Sequence, residues 1–380
     1  MAIKPIQILI SAKDEASGVF SSLQAKAAGV AAAILAYFGI DAFASAVKSA
    51  SEFEAKLSEL KAASGATADE MKQLRQAAEQ AASTTQYTAT QATSAMVELA
   101  KAGLSAKDVM AALPAAMSLA QAGGIELARA TEIITAVTAG MGLAFTDAGR
   151  VADVLALGAN ASKTSVQGLG EAMSYAAPIA KTLGIDIETT VAIIGQFATG
   201  GIDASRAGTA LNSIMGQFAD PASKFRAELA TAGITTNDFG KMLHQLAASG
   251  YDGQKAILAV GTEAGPALRS LLNLGMPALD ELTTKLHAAG GSAASTAATM
   301  SDNLQGATGK LAAAWDLLKV TLTTPVLPVL KDGVTELYNA IKRAIDDGTV
   351  AKFGDTLATA FKGALEWARQ FLSTVNYTEL

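Results

Sequence analysis

The chain has 380 residues, no cysteine and a formal net charge of −6, and half of its residues are apolar although only 5% are aromatic. The absence of cysteine excludes disulfides and thiolate metal sites. The negative net charge disfavours sequence-independent binding of nucleic acid, which needs a clustered positive surface. Because small side chains bury little area each, we expect many thin contacts between close helices rather than one thick core.

The first fifty residues predict an arm followed by a long alanine-rich helix. Residues 6–10 are rich in isoleucine and predict a lone strand or an extended arm. The helix is expected from about Asp14, and its centre, 27–47, is the best membrane candidate in the chain. Its apolar residues favour insertion by about −3.5 kcal/mol, but Asp41 offsets about +3 kcal/mol. Packing against other helices is therefore the favoured interpretation, and membrane insertion is the alternative.

Capping patterns predict where the next helices begin. Ser51, Thr67 and Thr88 are each followed three residues later by Glu or Gln, which is the sequence pattern of a capping box. Apolar residues recur at helical spacing after each of them. We therefore expect separate helices that start at these three positions.

A run of glycines, each followed by an aliphatic residue, organises the middle of the chain. It recurs about every twenty residues, the length of one helix plus a tight turn, at Gly103, Gly124, Gly142, Gly184 and Gly201. A glycine can close a helix in the left-handed conformation, and the polar residue two positions later can cap the next helix. The run predicts an all-α fold, a solenoid-like stack of helical hairpins with a repeat of about forty residues. Pro114 and Pro178 are expected to bend or interrupt their helices.

The residue composition and the apolar pattern change in the last part of the chain. Alanine, serine and threonine dominate 291–300, which follow Gly290 and predict a hinge or linker. Amphipathic helices interrupted by Pro325 and Pro328 come next. The predicted domains are an arm with a long helix (1–50), a helical core (51–290), the linker (291–300) and a C-terminal helical segment (301–380).

The sequence contains no complete catalytic or metal-binding motif. Residues 306–310 superficially resemble a phosphate loop, but Leu304 and Leu311 occupy the positions that require glycine and Ser or Thr. His244 and His287 have no partner motif, so we interpret them as residues of helix surfaces or boundaries. No cofactor, no metal and no enzymatic activity are expected.

Two pairs of carboxylates are the remaining candidates for acid–base chemistry. Asp147 and Asp153 lie near one helix, and Asp186 and Glu188 lie at the start of another. For the second pair, an N-cap and an acidic first turn are the simpler interpretation. Asp153 has apolar neighbours on both sides, and we expect it to make a structural polar contact rather than to catalyse. Its candidate partners are Arg129, Arg150 and a backbone donor.

Several short pieces, in a fixed order, resemble the core region of phage tail tape measure proteins. They lie within 51–216 and include Leu99–Ser105, Ala111–Pro114, Val151–Leu155, Gly170–Met173, Tyr175–Pro178, Gly184–Ile185, Gly200–Ile202 and Ala207–Leu211. Residues 303–328 are similar to the segment that follows the core in that family. The resemblance singles out as structural motif residues Gly103, Pro114, Asp153, Pro178, Gly184, Gly201 and Gly208.

The resemblance implies a non-enzymatic virion component that lies in the lumen of the tail tube. Such a protein templates tail length during assembly in the bacterial cytoplasm and is released with the DNA at ejection. The implied partners are the tail tube protein, tail assembly chaperones, baseplate or tail tip proteins, further copies of the chain and the host membrane. Sequence-specific binding of nucleic acid is not implied.

The chain is short for a member of this family. Even a wholly helical chain of this size would span at most about 570 Å, and members of the family are usually much longer. We therefore expect the leader, the core and the start of the next segment of a phage or prophage tape measure protein. A short member of the family, a fragment and a prophage remnant all fit this expectation. The alternative function is a membrane-active helical protein that inserts through 27–47 to assist genome passage.

Overall fold

The structure, a computed structural model, describes residues 41–250 and 253–348, and beyond them the single residues Lys352, Thr359 and Lys362. Helices and their connections account for the whole of this described part, and no strand occurs in it. The predicted all-α fold class is confirmed.

Some predictions fall outside the described residues. These are the strand or arm at 6–10, the N-terminal helix up to residue 40, which includes most of the candidate membrane segment 27–47, and the end of the C-terminal segment.

The helices are named here in chain order. They are α1 (41–64), α2 (Ala68–Thr84), α3 (Ala89–Lys101), α4 (Ala106–Gly123), α5 (Leu127–Met141), α6 (Ala148–Asn160), α7 (Val166–Thr182), α8 (Ile187–Thr199), α9 (Ala204–Ala219), α10 (Lys224–Thr231), α11 (Phe239–Ala248), α12 (Gln254–Ala259), α13 (Ala264–Leu274), α14 (Met276–His287), α15 (Ser292–Ser301), α16 (Leu304–Thr323) and α17 (Leu327–Asp346). Short 3-10 turns precede α6 and α17 at Phe145–Asp147 and Thr324–Val326.

Contacts divide the chain into two compact units. One comprises 1–51 and 319–380, and the other comprises 52–318. The divisions therefore fall within α1 and α16, and the larger unit contains α2 to α15 complete. The predicted domain boundaries stay predictions, because these units group the chain by contacts rather than by composition.

The larger unit is built around two layers of helices, which we call the array. Helices α3, α5, α7 and α9 pack side by side in one layer, and α2, α4, α6 and α8 pack side by side in the other. Successive helices along the chain, such as α4 and α5, also pack against each other across the layers. The array is the stack of hairpins that the glycine spacing predicts.

A second run of helices folds back along the array. Helix α13 packs on α8 and α9, α14 packs on α8 and α6, and α15 packs on α6 and α4. We call α13 to α15 the return arm. Residues 291–300, which the sequence analysis interpreted as a linker, lie mostly in α15 instead. Their small side chains allow close packing, and Ala293 and Ala297 are buried.

The predicted glycine turns are confirmed. The five glycines have φ between +60° and +89°, and the residue after each donates its N–H to a carbonyl five residues earlier. At Gly184, for example, the Ile185 N–H lies 2.9 Å from the Ala180 oxygen. This Schellman arrangement satisfies carbonyls at the helix end, and it needs the left-handed backbone that glycine adopts without strain.

Two of the three predicted capping boxes form. The side chains of Thr67 and Thr88 accept the N–H three residues later, and the return bond from Glu or Gln is present in both. Ser51 is a different case, because α1 runs through it without interruption. Buried Ala50 and Phe53 lie on either side of it, so the packed face of a longer helix overrides the local cap signal.

The internal prolines do not interrupt their helices. Pro114 lies inside α4 and Pro178 lies inside α7, and both helices continue to their glycine or leucine caps. Both prolines are exposed. The carbonyl that lacks its helical donor therefore lies on the outer face of each helix, where it is least costly.

Helices α16 and α17 carry large apolar side chains on exposed faces. In α16, Gly306, Ala313 and Val320 are buried, whereas the exposed side chains are Leu304, Leu311, Trp315, Leu318 and Leu322. In α17 the exposed ones are Val334, Leu337, Tyr338, Ile341 and Ile345.

Within the described residues, one stretch, Leu304–Asp346, is long and apolar enough to cross a membrane by length and composition. Core helices of soluble proteins meet the same two criteria, and a 3-10 turn interrupts this stretch. Length and composition alone are therefore weak evidence for a membrane span.

Candidate functional site

The seven motif residues singled out by the sequence are distributed along the array. Three are turn glycines, two are the internal prolines, and Asp153 and Gly208 lie at contacts between helices. In the part of the chain that the structure describes, they do not converge on one site. Their positions indicate a role in building the array.

Asp153 joins the array to the return arm. One of its carboxylate oxygens accepts the Gly291 N–H and the other accepts the Ala293 N–H, each at 2.8 Å. These amides belong to the N-terminal end of α15, where free N–H groups and the helix dipole favour a negative charge. Of the partners considered from the sequence, the backbone donor is the one that the structure shows.

Arg150 and Glu188 form a bidentate ion pair between α6 and α8. Arg150 Nε and Nη2 each donate to a different Glu188 oxygen at 2.6 Å. Glu188 has a side chain only 3% exposed, whereas that of Arg150 is 47% exposed. The hydrogen bonds to Glu188 raise the pKa of Arg150 above its ordinary value. The pair thus provides a buried carboxylate with the partner that its burial requires.

A small polar cluster surrounds this pair. His287 Nε2 lies 3.4 Å from an Asp186 carboxylate oxygen, and ligand atoms of Asp186, Glu188 and His287 all lie within 4.8 Å of one another. Such a spacing could be bridged by a metal ion. However, both Glu188 oxygens already accept hydrogen bonds from Arg150, and Asp186 accepts the Thr189 N–H as the N-cap of α8. The chemistry of the cluster is therefore that of helix capping and ion pairing.

Gly208 lies at the closest approach of α7 and α9. A Cβ atom at this position would lie 2.5 Å from the Ala172 carbonyl oxygen and 2.6 Å from its Cα atom. These are backbone atoms, so no side-chain movement can relieve the clash. The absence of a side chain lets the two helices pack backbone to backbone.

Sequence reasoning missed the ion pair and the place of His287. It interpreted Glu188 as a favourable charge at a helix start, and the structure shows a buried side chain that bonds a residue 38 positions away. The one available signal is that Glu188 stands in the apolar helix of Ile187, Val191 and Ile194, where a charge needs a partner.

Comparison with known proteins finds similar sequences among phage tail proteins. A family model described as "Phage-related minor tail protein" matches residues 75–249, which extend from α2 through the array to the residues after α11. A protein named "Tape measure protein" from Pneumococcus phage Dp-1 is 28% identical over 334 residues, which cover 84% of this chain. A "Probable tape measure protein" from Escherichia phage P2 is 29% identical over 310 residues, which cover 77% of it.

Over most of its length, the chain is similar to phage tail tape measure proteins. The match covers 29% of the Dp-1 protein and 37% of the P2 protein, so the chain spans about a third of the length of these tape measure relatives. No solved structure matches it significantly.

Proposed function

We propose that this chain forms the compact head region of a phage or prophage tail tape measure protein, the component that templates the length of the tail tube. The observation that carries this proposal is the match of 28% identity over 334 residues with a protein named as a tape measure protein. The match extends over the array and the return arm, so it concerns this fold as a whole.

The structure supports the assignment of a head rather than of a ruler. The array helices contain 13 to 18 residues, and each is therefore about 20–27 Å long. A chain folded back in such short helices spans a much shorter distance per residue than an extended chain does. We propose that the array anchors the ruler in the assembling tail, and that the extended remainder of the whole protein encodes length.

The proposed partners are the tail tube protein, tail assembly chaperones, baseplate or tail tip proteins and further copies of the same chain. Exposed apolar faces on α16 and α17 support association with other helices, since side chains such as Leu304 and Leu311 are 81% and 70% exposed. The proposed location is the tail lumen in the virion and the bacterial cytoplasm during assembly. The proposed role is non-enzymatic, in agreement with the capping and pairing roles of the polar cluster.

The membrane alternative, insertion through 27–47, gains no comparable support. In the described part of that segment, Ala46 is 4% exposed and its carbonyl accepts a hydrogen bond from Thr323. These contacts are those of a helix packed against protein. We therefore do not propose it.

Tail length in the phage or prophage that encodes this chain tests the proposal. Deletion of the gene should abolish tails of defined length in electron micrographs, and the intact gene supplied in trans should restore them. Normal tails after deletion would overturn the proposal.

A pair of in-frame deletions separates the head from the ruler. Removal of one hairpin of the array, α6 with α7, should block tail assembly because it disrupts a packed fold. Removal of a similar number of residues from the extended remainder of the whole protein should shorten tails by about 1.5 Å per helical residue. Proportionately shorter tails after the array deletion would show that the array itself measures length.

A further inference from the structure

The second half of α17 presents an apolar stripe to solvent. From Val334 to Ile345, every residue except Ala344 is exposed. The stripe consists of residues three or four positions apart, which lie on one face of a helix, namely Val334, Leu337, Tyr338, Ile341 and Ile345. A helix in a protein gains most of its stability from the packing of such a face. The α17 stripe therefore requires a partner.

The chain turns immediately after this stripe. Gly348 has a φ of +75°, and its N–H lies 3.1 Å from the Ile345 carbonyl oxygen. The array turn at Gly184 has the same left-handed glycine and the same bond to the residue three positions earlier. The Lys352 N–H then donates to the Gly348 carbonyl at 2.9 Å, which is the bond of a new helical turn. A connection this short favours two antiparallel neighbouring helices.

The sequence after the turn repeats the apolar stripe in mirror order. Three pairs of apolar residues lie at equal distances of four, eight and twelve residues on either side of Thr349, namely Ile345 with Phe353, Ile341 with Leu357, and Leu337 with Phe361. Because every helical residue adds the same rise, positions equally far from a turn lie at the same height in an antiparallel pair. The two stripes are therefore in register for a helical hairpin.

The described residues beyond the turn agree with this orientation. Lys352, Thr359 and Lys362 are helical and exposed. Helical spacing places all three on the side opposite the stripe of Phe353, Leu357 and Phe361. They thus occupy the face that a helix exposes when it packs through that stripe.

We propose that residues 350–365 of the same chain pack as an antiparallel helix against the apolar stripe of α17. The connection of a few residues gives the two segments a high effective concentration for each other. Residues 1–40 reach α17 only across a much longer connection, and a second copy reaches it only by diffusion. The mirror order about Thr349 also favours the hairpin, because binding to another segment does not require equal distances from this turn.

The hairpin distinguishes the two exposed apolar faces at the end of the described chain. The face of α17 is covered from within the chain. The face of α16 stays available to the partners named under the proposed function. The inference goes beyond that function and does not depend on it.

Disulfide crosslinking of the full chain tests the hairpin, because the chain has no cysteine of its own. The double variants Ile341→Cys/Leu357→Cys and Ile345→Cys/Phe353→Cys are oxidised under mild conditions. We expect at least one of them to close within a monomer, seen as a gel mobility shift that a reductant reverses. The matched control is Arg343→Cys/Leu357→Cys. Arg343 is exposed and closer to Leu357 in sequence, but it lies on the opposite face of α17, so this pair should not close.

Other crosslinking results identify a different occupant and overturn the proposal. A disulfide between an Ile341→Cys chain and a size-tagged Leu357→Cys chain, without closure of the double variants, would assign the stripe to a second copy. Closure of Ile341→Cys/Ile34→Cys in their place would assign it to the N-terminal segment. Failure of both mirrored pairs to close, or equal closure of the Arg343 control, would show that the hairpin does not form.

A charge substitution gives a second measurement. Ile341→Glu places a charge in the stripe and should speed amide hydrogen exchange in 353–365 by about tenfold or more, because the packed helix opens locally. Asn339→Glu, at an exposed position on the opposite face of α17, should leave this exchange unchanged. Equal exchange in both variants would contradict the proposal. Neither measurement depends on tail length, so this inference and the proposed function can fail separately.

Discussion

The array and the return arm are both helical and belong to the same compact unit, yet they are specified by different kinds of interaction. The array is delimited by short-range signals, because its turns close through bonds between residues three to five positions apart. The return arm is attached by bonds that span much larger distances in sequence. Asp153 reaches the amides of Gly291 and Ala293, and Gln196 donates to the Ala278 carbonyl 82 residues away.

The comparison shows which features of this fold can be recognised in the sequence and which cannot. A glycine turn can be recognised in sequence because its physical requirement, a positive φ, is a property of one residue. The attachment of a distant helix depends on which side chain faces which backbone amide after folding. Substitutions in the two regions should therefore differ in size and in spatial extent.

The largest effect is expected inside the array, from loss of the guanidinium that pairs with a buried carboxylate. Arg150→Met leaves Glu188 buried and unpaired, and we expect it to lower the free energy of unfolding by about 3–5 kcal/mol. Glu188→Gln removes the buried charge itself, and exposed Arg150 can turn to water, so a smaller loss of about 1–2 kcal/mol is expected. Chemical unfolding measures both, and equal losses would contradict the desolvation argument.

The next effect concerns the contact between α7 and α9. Gly208→Ala places a Cβ atom against the Ala172 backbone, and we expect overpacking to cost about 1–3 kcal/mol. Gly216→Ala, on the same helix, meets nothing within 4 Å. It should be neutral or stabilising by up to about 1 kcal/mol, because alanine is the better helix former. If both variants melt at the same temperature, the two helices do not approach as closely as described.

A smaller and local effect is expected at the return arm. Asp153→Asn weakens the two hydrogen bonds to the start of α15, with an expected loss of about 1 kcal/mol. Amide hydrogen exchange should increase in α15 and stay unchanged in α5 and α7. Asp147→Asn is the control, since Asp147 makes no side-chain capping bond. Uniformly faster exchange throughout the array would show that arm and array unfold together.

The smallest effect at neutral pH concerns Tyr87, at the edge of the array before α3. Burial raises the pKa of Tyr87 to about 12 from its ordinary value of 10.0. The folded state thus favours the neutral phenol, and its contribution to stability is complete below pH 10 and is lost as the pH rises towards 12. Ultraviolet titration should show a late-ionising component that is lost in Tyr87→Phe. A titration with no late component would contradict the burial of this side chain.

Much of the fold could be predicted from the sequence. The helical class, the glycine turns and the capping boxes at Thr67 and Thr88 follow from local physical requirements. Two errors share one cause. Ser51 carries a cap signal inside a longer helix, and the small-residue stretch 291–300 was interpreted as a linker although it forms α15. In both places packing against distant residues outweighs a weak local preference.

Less of the candidate site than of the fold could be predicted from the sequence. Asp153 was recognised as a structural acid because its neighbours are apolar, but three candidate partners remained open. The bond between Arg150 and Glu188 was missed, because nothing local distinguishes a paired buried glutamate from a favourable charge at a helix start. The exposed leucines of α16 have the same spacing as core residues, so the sequence alone could not show that they face outward.

The series of helices closed by glycine turns could be recognised from the sequence alone, and so could the resemblance to tape measure proteins. Those features depend on φ, on capping and on periodicity, which are properties of neighbouring residues. The fold-back of the chain along its own array and the attachment of the return arm by Asp153 became visible only in the tertiary structure. These features depend on contacts between residues far apart in the chain, and such contacts exist only once the chain has folded.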